Sequence, residues 1–210
     1  CAQDCIEGLR TVDPDIPTLT PEQMGDGPVR AALEAGGNAF DAAMAGLCAA
    51  CVAEPVLTSL GGGGFLLAHT DDRHDSIYDF FVQTPKVMLP KDELDFYPIH
   101  ADFGTTTQEF HIGRASIATP GAVKGIFKIH EDLGSMPMSE LVQPAIAAAR
   151  DGIRMSSFQA SILNVIAPIL TATVESRLHY QSTRHEAAAL ITSGELFRQS
   201  HVADFLEALA

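Results

Sequence analysis

The stretch TSLGGGGFLLAHT, residues 58–70, decides how this chain folds. Four consecutive glycines, residues 61–64, come directly before an apolar run that is typical of a buried strand. Ordering a glycine costs more conformational entropy than ordering any other residue, so a run of four needs a structural reason. Either these glycines adopt backbone angles that are closed to other residues, or another part of the molecule approaches their backbone closely.

A phosphate-binding role for the glycine run is excluded by its context. A P-loop lies between a strand and a helix and carries a lysine, whereas this run precedes a strand and contains no lysine. The glycine fingerprint of dinucleotide-binding proteins fails for the same reason of context. A glycine run that leads into a strand indicates instead the close approach of another element to the sheet.

Two helices are predicted before the glycines. The letters TPE at residues 20–22 supply an N-cap, a proline at the first helical position and an acidic first turn, and the glycines at 36–37 end that helix. Asn38 is placed to cap the next helix, AFDAAMAGLCAACVA, at residues 39–53. Small side chains on every face of this second helix predict close packing against a sheet or another helix.

A β-hairpin is predicted after the glycines. GGFLLAHT and SIYDFFVQ read as two strands that flank the turn DDRH, which predicts an antiparallel pair. Residues 84–110 are rich in proline, aspartate and phenylalanine and are predicted to form a long irregular loop.

Helices dominate the remainder of the predicted chain. A strand, a Pro-Gly turn and a helix are expected in ASIATPGAVKGIFKIHEDLG, and a helix in MSELVQPAIAAARDG. A further helix is expected in SSFQASILNVIAPILTATVES, with a break at Pro168. The last helix is amphipathic, and its apolar stripe consists of Val202, Phe205, Leu206 and Leu209. This order of elements predicts an α+β fold with a mainly antiparallel sheet flanked by helices.

Composition limits the possible partners. The chain has 210 residues, of which 46% are hydrophobic, enough for one domain or one large piece of one. Its formal charge of −14 repels phosphate backbones, so no nucleic-acid partner is expected. No uncharged apolar run reaches the roughly 18 residues of a membrane span, so no membrane partner is expected. No signal peptide is visible, although a mature chain could have lost one, and both cytoplasm and periplasm stay open.

The residue chemistry alone names no catalytic pair, metal site or cofactor. Cys48 and Cys51 form a C-x-x-C pair inside the alanine-rich helix, where two buried structural thiols are favoured over a redox pair. No second ligand pair stands at zinc-finger spacing, and no His-Glu-x-x-His motif is present. The Gly-x-Ser-x-Gly elbow of α/β-hydrolases is absent as well.

Five motifs in order resemble the N-terminal part of the γ-glutamyltranspeptidase family. They are VRAALEAGGNAFDAAMAG, EPVLTSLGGGGFLL, SIATPGAVKGIFKIHEDLG, SELVQPAIAAARDGI and GELFRQSHVADFLEALA. The resemblance implies part of a four-layer αββα sandwich of the N-terminal-nucleophile hydrolase type and a precursor that cuts itself into two subunits. It also implies cleavage of an amide bond, with or without acyl transfer to an acceptor.

The resemblance also implies a domain organisation. Residues 1–20 are interrupted by prolines and are, from that composition, expected to be a peripheral N-terminal segment. Residues 21–210 are expected to be the large-subunit portion of a single N-terminal-nucleophile hydrolase domain, completed by a second chain or by missing sequence.

The nucleophile implied by the resemblance is the threonine that begins the small subunit. Its hydroxyl attacks while its own α-amine acts as the base. The only echo of such a stretch here is GTTTQEFH at residues 104–111, which falls in the predicted loop and out of motif order. Thr105, Thr106 and Thr107 are therefore expected to be loop residues. No catalytic residue is expected in this chain, and the small subunit from the same precursor is expected as its partner.

The family motif that binds the substrate α-carboxylate departs from its pattern here. The family carries an arginine in Asp-x-Arg-Glu-x-Ala-Pro, and this chain reads DFFVQTP, with Phe81 at the arginine position and Val82 at the glutamate. Loss of a guanidinium–carboxylate contact should weaken γ-glutamyl binding by an amount on the order of a few kcal/mol. The substrate expected is therefore another small amide or an acyl amide, as for the oxamate amidohydrolases and cephalosporin acylases that belong to this superfamily.

The candidate substrate-binding residues are Phe81 and Gln83. Gln83 could offer an amide donor where the charge is lost. The alternative is that both residues only complete a strand. For the protein as a whole, the alternative to an enzyme is a non-catalytic structural or binding relative of the family.

Overall fold

The computed structural model describes residues 26–72, 74–184 and 189–210. The predicted helix start at residues 20–22 and the peripheral segment at residues 1–20 lie outside these residues. Within the described ranges, no helix is both long enough and apolar enough to cross a membrane.

The first two helices agree with the sequence pattern. Helix α1 spans Asp26–Glu34 and helix α2 spans Ala39–Ala53. Asn38 caps α2: its Oδ1 accepts hydrogen bonds from the backbone N–H groups of Phe40 and Asp41. The Asp41 carboxylate accepts in turn from the Asn38 N–H at 2.8 Å, which completes a capping box. The small residues of α2 are largely buried, as predicted.

The predicted β-hairpin is also confirmed. Strand β1 spans Phe65–His69 and strand β2 spans Asp75–Asp79, and the two are antiparallel. Leu67 lies directly opposite Ile77. Gly64, just before β1, and Phe80, just after β2, exchange backbone hydrogen bonds of 3.3 and 3.0 Å. The antiparallel pairing therefore continues into the glycine run.

The glycine run allows another segment to approach closely. None of the four glycines has a positive φ. A Cβ atom on Gly63 would lie 2.5 Å from the carbonyl oxygen of Phe80 and 2.7 Å from the amide nitrogen of Val82. The Gly62 carbonyl accepts two hydrogen bonds of 3.0 Å, from the N–H groups of Gly121 and Ala122. The absent side chains therefore let the segment after β2 and the start of the next helix meet this backbone.

Residues 84–110, predicted as a loop, contain most of a second hairpin, which ends at Ile112. A short 3₁₀-helix is followed by strands β3, Tyr97–Asp102, and β4, Thr107–Ile112, which pair antiparallel. Thr107 therefore lies in a strand and not in a loop, while Thr105 and Thr106 lie in the turn. The prediction missed β3 because Pro98 argues against a central strand; a two-stranded ribbon, however, has edges that tolerate proline.

The third helix follows the Pro-Gly turn, but the strand predicted before it is reduced to one bridge. Helix α3 spans Ala122–Leu133. A 3₁₀-turn, Arg114–Ser116, occupies the start of the predicted strand, and only Thr119 pairs with Gln83.

The helices after α3 are shorter than predicted. The helix predicted over residues 138–152 divides at Val142, because Pro144 starts a new helix in its first turn. The helix predicted with a break at Pro168 ends two residues earlier, at Ile166. Pro168 lies in the first turn of the next short helix, where a proline is tolerated. The remaining elements in chain order are α4 (Met138–Leu141), α5 (Gln143–Asp151), β5 (Ile153–Arg154), α6 (Ser157–Val165), α7 (Ala167–Leu170), α8 (Val174–His179), β6 (Leu196–Phe197) and α9 (Ser200–Leu209).

The apolar stripe of α9 is only partly buried. Leu206 is buried, Val202 and Leu209 are half-buried, and Phe205 is exposed, against prediction. Ala203 is fully buried in its place. The helix rests on α5 through this small residue, so the buried face is rotated away from Phe205.

Two apolar clusters form the core. The larger is centred on α2, with contributions from α3, α4, α5 and α9, and the inner face of the first hairpin packs on it through Leu66, Tyr78 and Phe80. The smaller joins α6, α7 and β6. Every described strand pair is antiparallel and helices cover the hairpin, which confirms the predicted α+β class.

Candidate functional site

Phe81 lies just past the end of β2 and stacks on another aromatic ring. Its centroid is 5.4 Å from that of Phe65, and the planes differ by 12°. The backbone N–H of Phe81 donates a 3.0 Å hydrogen bond to Oδ1 of Asp79. This local bond turns the chain after the strand.

Gln83 follows two residues later and extends the pairing. Its N–H donates to the Thr119 carbonyl at 3.0 Å, and the Thr119 N–H donates back at 2.7 Å. The Gln83 side chain is exposed, and its Nε2 lies 3.5 Å from the Phe81 carbonyl oxygen. The structure thus places both candidate residues on one short segment. The Gln83 backbone also completes a strand-like bridge.

Phe80 fixes the segment from the opposite face. Its ring lies over Gly125 of α3, and a Cβ on Gly125 would clash with that ring. The side chain of Phe80 packs on the larger core cluster. Because successive side chains along an extended segment point to opposite faces, Phe81 points away from the core.

The outer face of the first hairpin is apolar. Phe65 and Leu67 of β1 and Ile77 of β2 are exposed on it, together with Phe81. Asp79 lies opposite Phe65 in the strand register and brings a carboxylate to this face next to the Phe65 ring. Phe65 was not singled out from the sequence, although its place at the head of the alternating strand FLLAH puts it on the exposed face.

A cavity of about 310 Å³ lies between Phe80 and the glycine run. Its lining combines the residues that precede the glycines with Phe80 and the first residue of α3: Leu47, Pro55, Val56, Leu57, Thr58, Ser59, Gly62, Gly63, Phe80 and Ala122. Thr58 and Ser59 are the only residues of this lining with polar side chains.

The other sequence candidates lie elsewhere. Thr105 and Thr106 lie at the tip of the β3–β4 hairpin. Cys48 and Cys51 are buried in α2, as predicted. Burial raises the pKa of the Cys48 thiol to about 12, with a smaller contribution from the Cys51 charge, and burial raises that of Cys51 to about 11. These thiols stay protonated at neutral pH and are poor nucleophiles. In the described part of the chain, no three metal-binding side chains are grouped to hold an ion.

The sequence model of the γ-glutamyltranspeptidase family matches residues 29–210, most of the chain. The chain belongs to the γ-glutamyltranspeptidase family. The match includes the glycine run, the segment of Phe81 and Gln83, and the capped helix α2.

Curated relatives carry the names of hydrolases and acylases. The Acylase ACY 1 proenzyme of Pseudomonas sp. (strain V22) is 34% identical over 134 residues, which cover 62% of this chain and 24% of that protein. The glutathione hydrolase proenzyme of Pseudomonas aeruginosa is 31% identical over 140 residues, covering 66% of this chain and 24% of that protein. The matched part of this γ-glutamyltranspeptidase-family chain thus spans about a quarter of the length of these relatives.

Solved structures confirm the fold. The γ-glutamyltranspeptidase of Helicobacter pylori superposes with a TM-score of 0.73 at 24% identity, covering 91% of this chain and 52% of that one. The cephalosporin acylase of Bacillus halodurans gives a TM-score of 0.69 at 21% identity, covering 88% of this chain and 33% of that one. The chain therefore has the α+β fold of the γ-glutamyltranspeptidases, of the N-terminal-nucleophile hydrolase type.

Proposed function

We propose that this chain is the large-subunit part of an amidohydrolase or acyltransferase that cleaves a small amide or an acyl amide. Membership of the γ-glutamyltranspeptidase family over residues 29–210 carries the proposal. The names of the relatives, glutathione hydrolase and acylase, support amide cleavage as the reaction type.

The proposed reaction uses a nucleophile from outside this chain. The hydroxyl oxygen of a threonine at the start of the small subunit attacks the amide carbonyl carbon. The hydroxyl proton passes to the free α-amine of that threonine and from there to the leaving amine. The acyl ester left on the threonine is then broken by water, or by an acceptor amine. The relatives are named proenzymes, which supports a partner that comes from the same precursor.

The proposed part of this chain in the reaction is to supply a substrate wall through Phe81 and Gln83. An arginine in place of Phe81 could hold a substrate carboxylate by two parallel hydrogen bonds, and a phenyl ring offers none. The proposed enzyme is therefore not a strict γ-glutamyl transferase. Neither nucleic acid nor membrane has a part in this proposal.

The first test is to determine which polypeptides the mature protein contains. The complete protein is purified, and every chain present is analysed by intact mass and N-terminal sequencing. We expect a second chain that begins with threonine, and one uncut precursor when that threonine is replaced by alanine. A single chain of 22.4 kDa, the mass of this sequence, with no second polypeptide would contradict the proposal and favour a non-catalytic relative.

A further inference from the structure

We propose that Phe80 is a positioning residue for substrate binding, which acts by holding the backbone of residues 81–83 in place. Its own side chain packs on the core cluster, so it acts through its neighbours along the chain. This inference rests on the proposed amidase function and deepens it, because it says what orients the proposed substrate residues Phe81 and Gln83.

Four glycines from two parts of the chain surround Phe80. A Cβ on Gly63 would lie 2.5 Å from the Phe80 carbonyl oxygen, and a Cβ on Gly64 would lie 3.2 Å from Cε2 of the Phe80 ring. A Cβ on Gly121 would clash with the same carbonyl, and a Cβ on Gly125 would clash with Cγ of the ring. We call these four residues the glycine socket. Phe80 fills the space that side chains at these positions would need.

The two socket glycines near α3 are not required by their own backbone angles. Gly121 has φ −116° and ψ −20°, which any residue can adopt. Gly125 lies inside helix α3, where a glycine is less favourable than an alanine by roughly 0.5–1 kcal/mol. The close approach of Phe80 is therefore what requires glycine at both positions.

Hydrogen bonds join the two parts of the glycine socket. The Gly62 carbonyl accepts from the N–H groups of Gly121 and Ala122, both at 3.0 Å, which ties the glycine run to the first turn of α3. The backbone of Phe80 is paired in turn with that of Gly64. Phe80 is thus held through its backbone and its ring by segments that are bonded to each other.

The close contacts extend to the residues that follow Phe80. A Cβ on Gly63 would also lie 2.7 Å from the Val82 amide nitrogen, and a Cβ on Gly121 would lie 3.1 Å from the Phe81 carbonyl oxygen. The backbone after Phe80 therefore runs between the two parts of the glycine socket.

Gln83 completes this path. It pairs with Thr119, which lies two residues before Gly121. A shift of Phe80 in the glycine socket would therefore be passed on to the backbone at Phe81 and Gln83. A pre-organised binding segment loses little conformational entropy when a substrate binds, so loosening it costs affinity.

Tyr78 provides a matched control on the same face of β2. It lies two residues before Phe80 and packs on the same core cluster, and its hydroxyl donates a 3.1 Å hydrogen bond to Oδ2 of Asp132. Tyr78→Leu loses this hydrogen bond as well as apolar contacts, so it should destabilise the fold at least as much as Phe80→Leu. It leaves the glycine socket filled.

The test measures kcat and KM of the complete protein for two chromogenic amides, phenylacetyl-p-nitroanilide and γ-glutamyl-p-nitroanilide. For the amide that the wild type cleaves better, Phe80→Leu should raise KM by about tenfold and change kcat by less than about threefold, because binding is weakened while the nucleophile lies on the proposed partner. Tyr78→Leu should leave KM within about twofold of wild type. If Phe80 were only a structural residue, its loss would reduce the fraction of active protein, which lowers kcat and leaves KM unchanged.

A second variant disturbs the glycine socket with Phe80 in place. In Gly125→Ala the added methyl group would displace the Phe80 ring, and we expect the same rise in KM as in Phe80→Leu. The control is Gly46→Ala inside α2, where a Cβ would lie 2.8 Å from Cγ2 of Val29; its KM should stay within about twofold of wild type. Thermal unfolding of each variant checks that the fold is kept.

Hydrogen exchange separates this inference from the proposed function. Mass spectrometry of peptides that cover residues 80–84 of the complete protein should show about tenfold faster exchange in Phe80→Leu and Gly125→Ala than in wild type, and no change in Tyr78→Leu. If the wild type cleaves neither amide, the amidase proposal is wrong, and exchange alone decides whether Phe80 holds the segment. An unchanged KM in Phe80→Leu, an equal rise in Tyr78→Leu, or equal exchange in these two variants would overturn the positioning role.

Discussion

At the scale of single residues, the hydrogen bond from the Phe81 N–H to the Asp79 carboxylate orients the segment that carries the candidate residues. The Asp79 carboxylate accepts the Phe81 N–H at 3.0 Å, immediately after the strand ends. Since an asparagine oxygen can accept the same bond, the contact depends on the acceptor and not on the charge.

The prediction at Asp79 separates geometry from charge. Asp79→Ala should lose the turn, and we expect kcat/KM for a neutral chromogenic amide, phenylacetyl-p-nitroanilide, to fall by roughly threefold to tenfold, the effect of losing about one hydrogen bond. Asp79→Asn should retain the turn and most of that activity, while kcat/KM for a second amide, γ-glutamyl-p-nitroanilide, rises because a like charge next to Phe81 is removed. Steady-state kinetics on the two amides check this, and equal losses in both variants would contradict a role in orienting Phe81.

Glu195 is a fully buried carboxylate that closes the loop before β6. Its oxygens accept hydrogen bonds from the Ser182 hydroxyl, the Thr183 N–H, and the N–H and hydroxyl of Thr192, at 2.7 to 3.0 Å. Burial raises its pKa, but the hydrogen bonds, led by those of Thr192, outweigh burial and lower the pKa from 4.5 to about 2. The carboxylate is therefore ionised and fully partnered inside the protein.

This arrangement predicts a pH dependence of stability. Because the pKa in the folded state is lower than in the unfolded chain, the ionised Glu195 stabilises the fold above pH 4.5, and this contribution is lost as the pH falls toward about 2. Glu195→Gln should lower the free energy of unfolding at pH 7 by about 1–3 kcal/mol, since an amide nitrogen faces donors. Urea unfolding of wild type and Glu195→Gln at pH 7 and at pH 3 measures the difference in their free energies of unfolding. A difference that is as large at pH 3 as at pH 7 would contradict this role of the ionised carboxylate.

At the scale of elements, the first hairpin depends on the close approach of its two strands. The backbone just before β1 meets the backbone just after β2 at Gly63, where a Cβ would press on backbone atoms of Phe80 and Val82. At Gly61 a Cβ would make only an ordinary contact, 3.6 Å from the Ser59 hydroxyl. The two glycines share a sequence context but differ in structural role.

Gly63→Ala should therefore destabilise the fold where Gly61→Ala does not. Backbone atoms cannot move aside as a side chain can, so we expect Gly63→Ala to lower the free energy of unfolding by about 1–3 kcal/mol. Gly61→Ala should stay within about 0.5 kcal/mol of wild type, the usual range for an exposed site. Denaturant unfolding of both variants checks this, and similar values for the two would show that the close approach is unimportant.

At the scale of the whole molecule, the chain exposes more apolar surface than one stable unit requires. Leu67 and Ile77 on the hairpin and Val87 and Met88 after it are more than 70% exposed. Soluble single units seldom leave such clusters uncovered. The proposed small subunit is the partner that would cover them.

We therefore expect this chain, separated from the rest of the mature protein, to bind an apolar dye such as ANS strongly. The complete protein, with the proposed small subunit bound, should bind several-fold less dye per chain, because that partner would remove apolar area from water. Fluorescence titration of both samples at equal chain concentration makes the comparison. Equal dye binding would mean that these side chains stay exposed in the complete protein.

The sequence by itself determined the features that depend on neighbours along the chain. The cap of Asn38, the buried small-residue helix, the first hairpin and the role of the glycines all follow from local patterns of side-chain size and periodicity. Motif order sufficed for the family, which the family match confirms. The interpretation of Phe81 and Gln83 as substrate-binding residues stays a prediction.

Only the tertiary structure decided the features that depend on distant partners. The β3–β4 hairpin exists because two polar segments with a proline pair across a turn, which no periodicity of either segment indicates. The buried face of α9 is set by its contact with α5, and Glu195 is ionised because residues up to 13 positions away converge on it. The stacking of Phe65 on Phe81 likewise follows from strand register, because register brings together rings that lie 16 positions apart in the sequence.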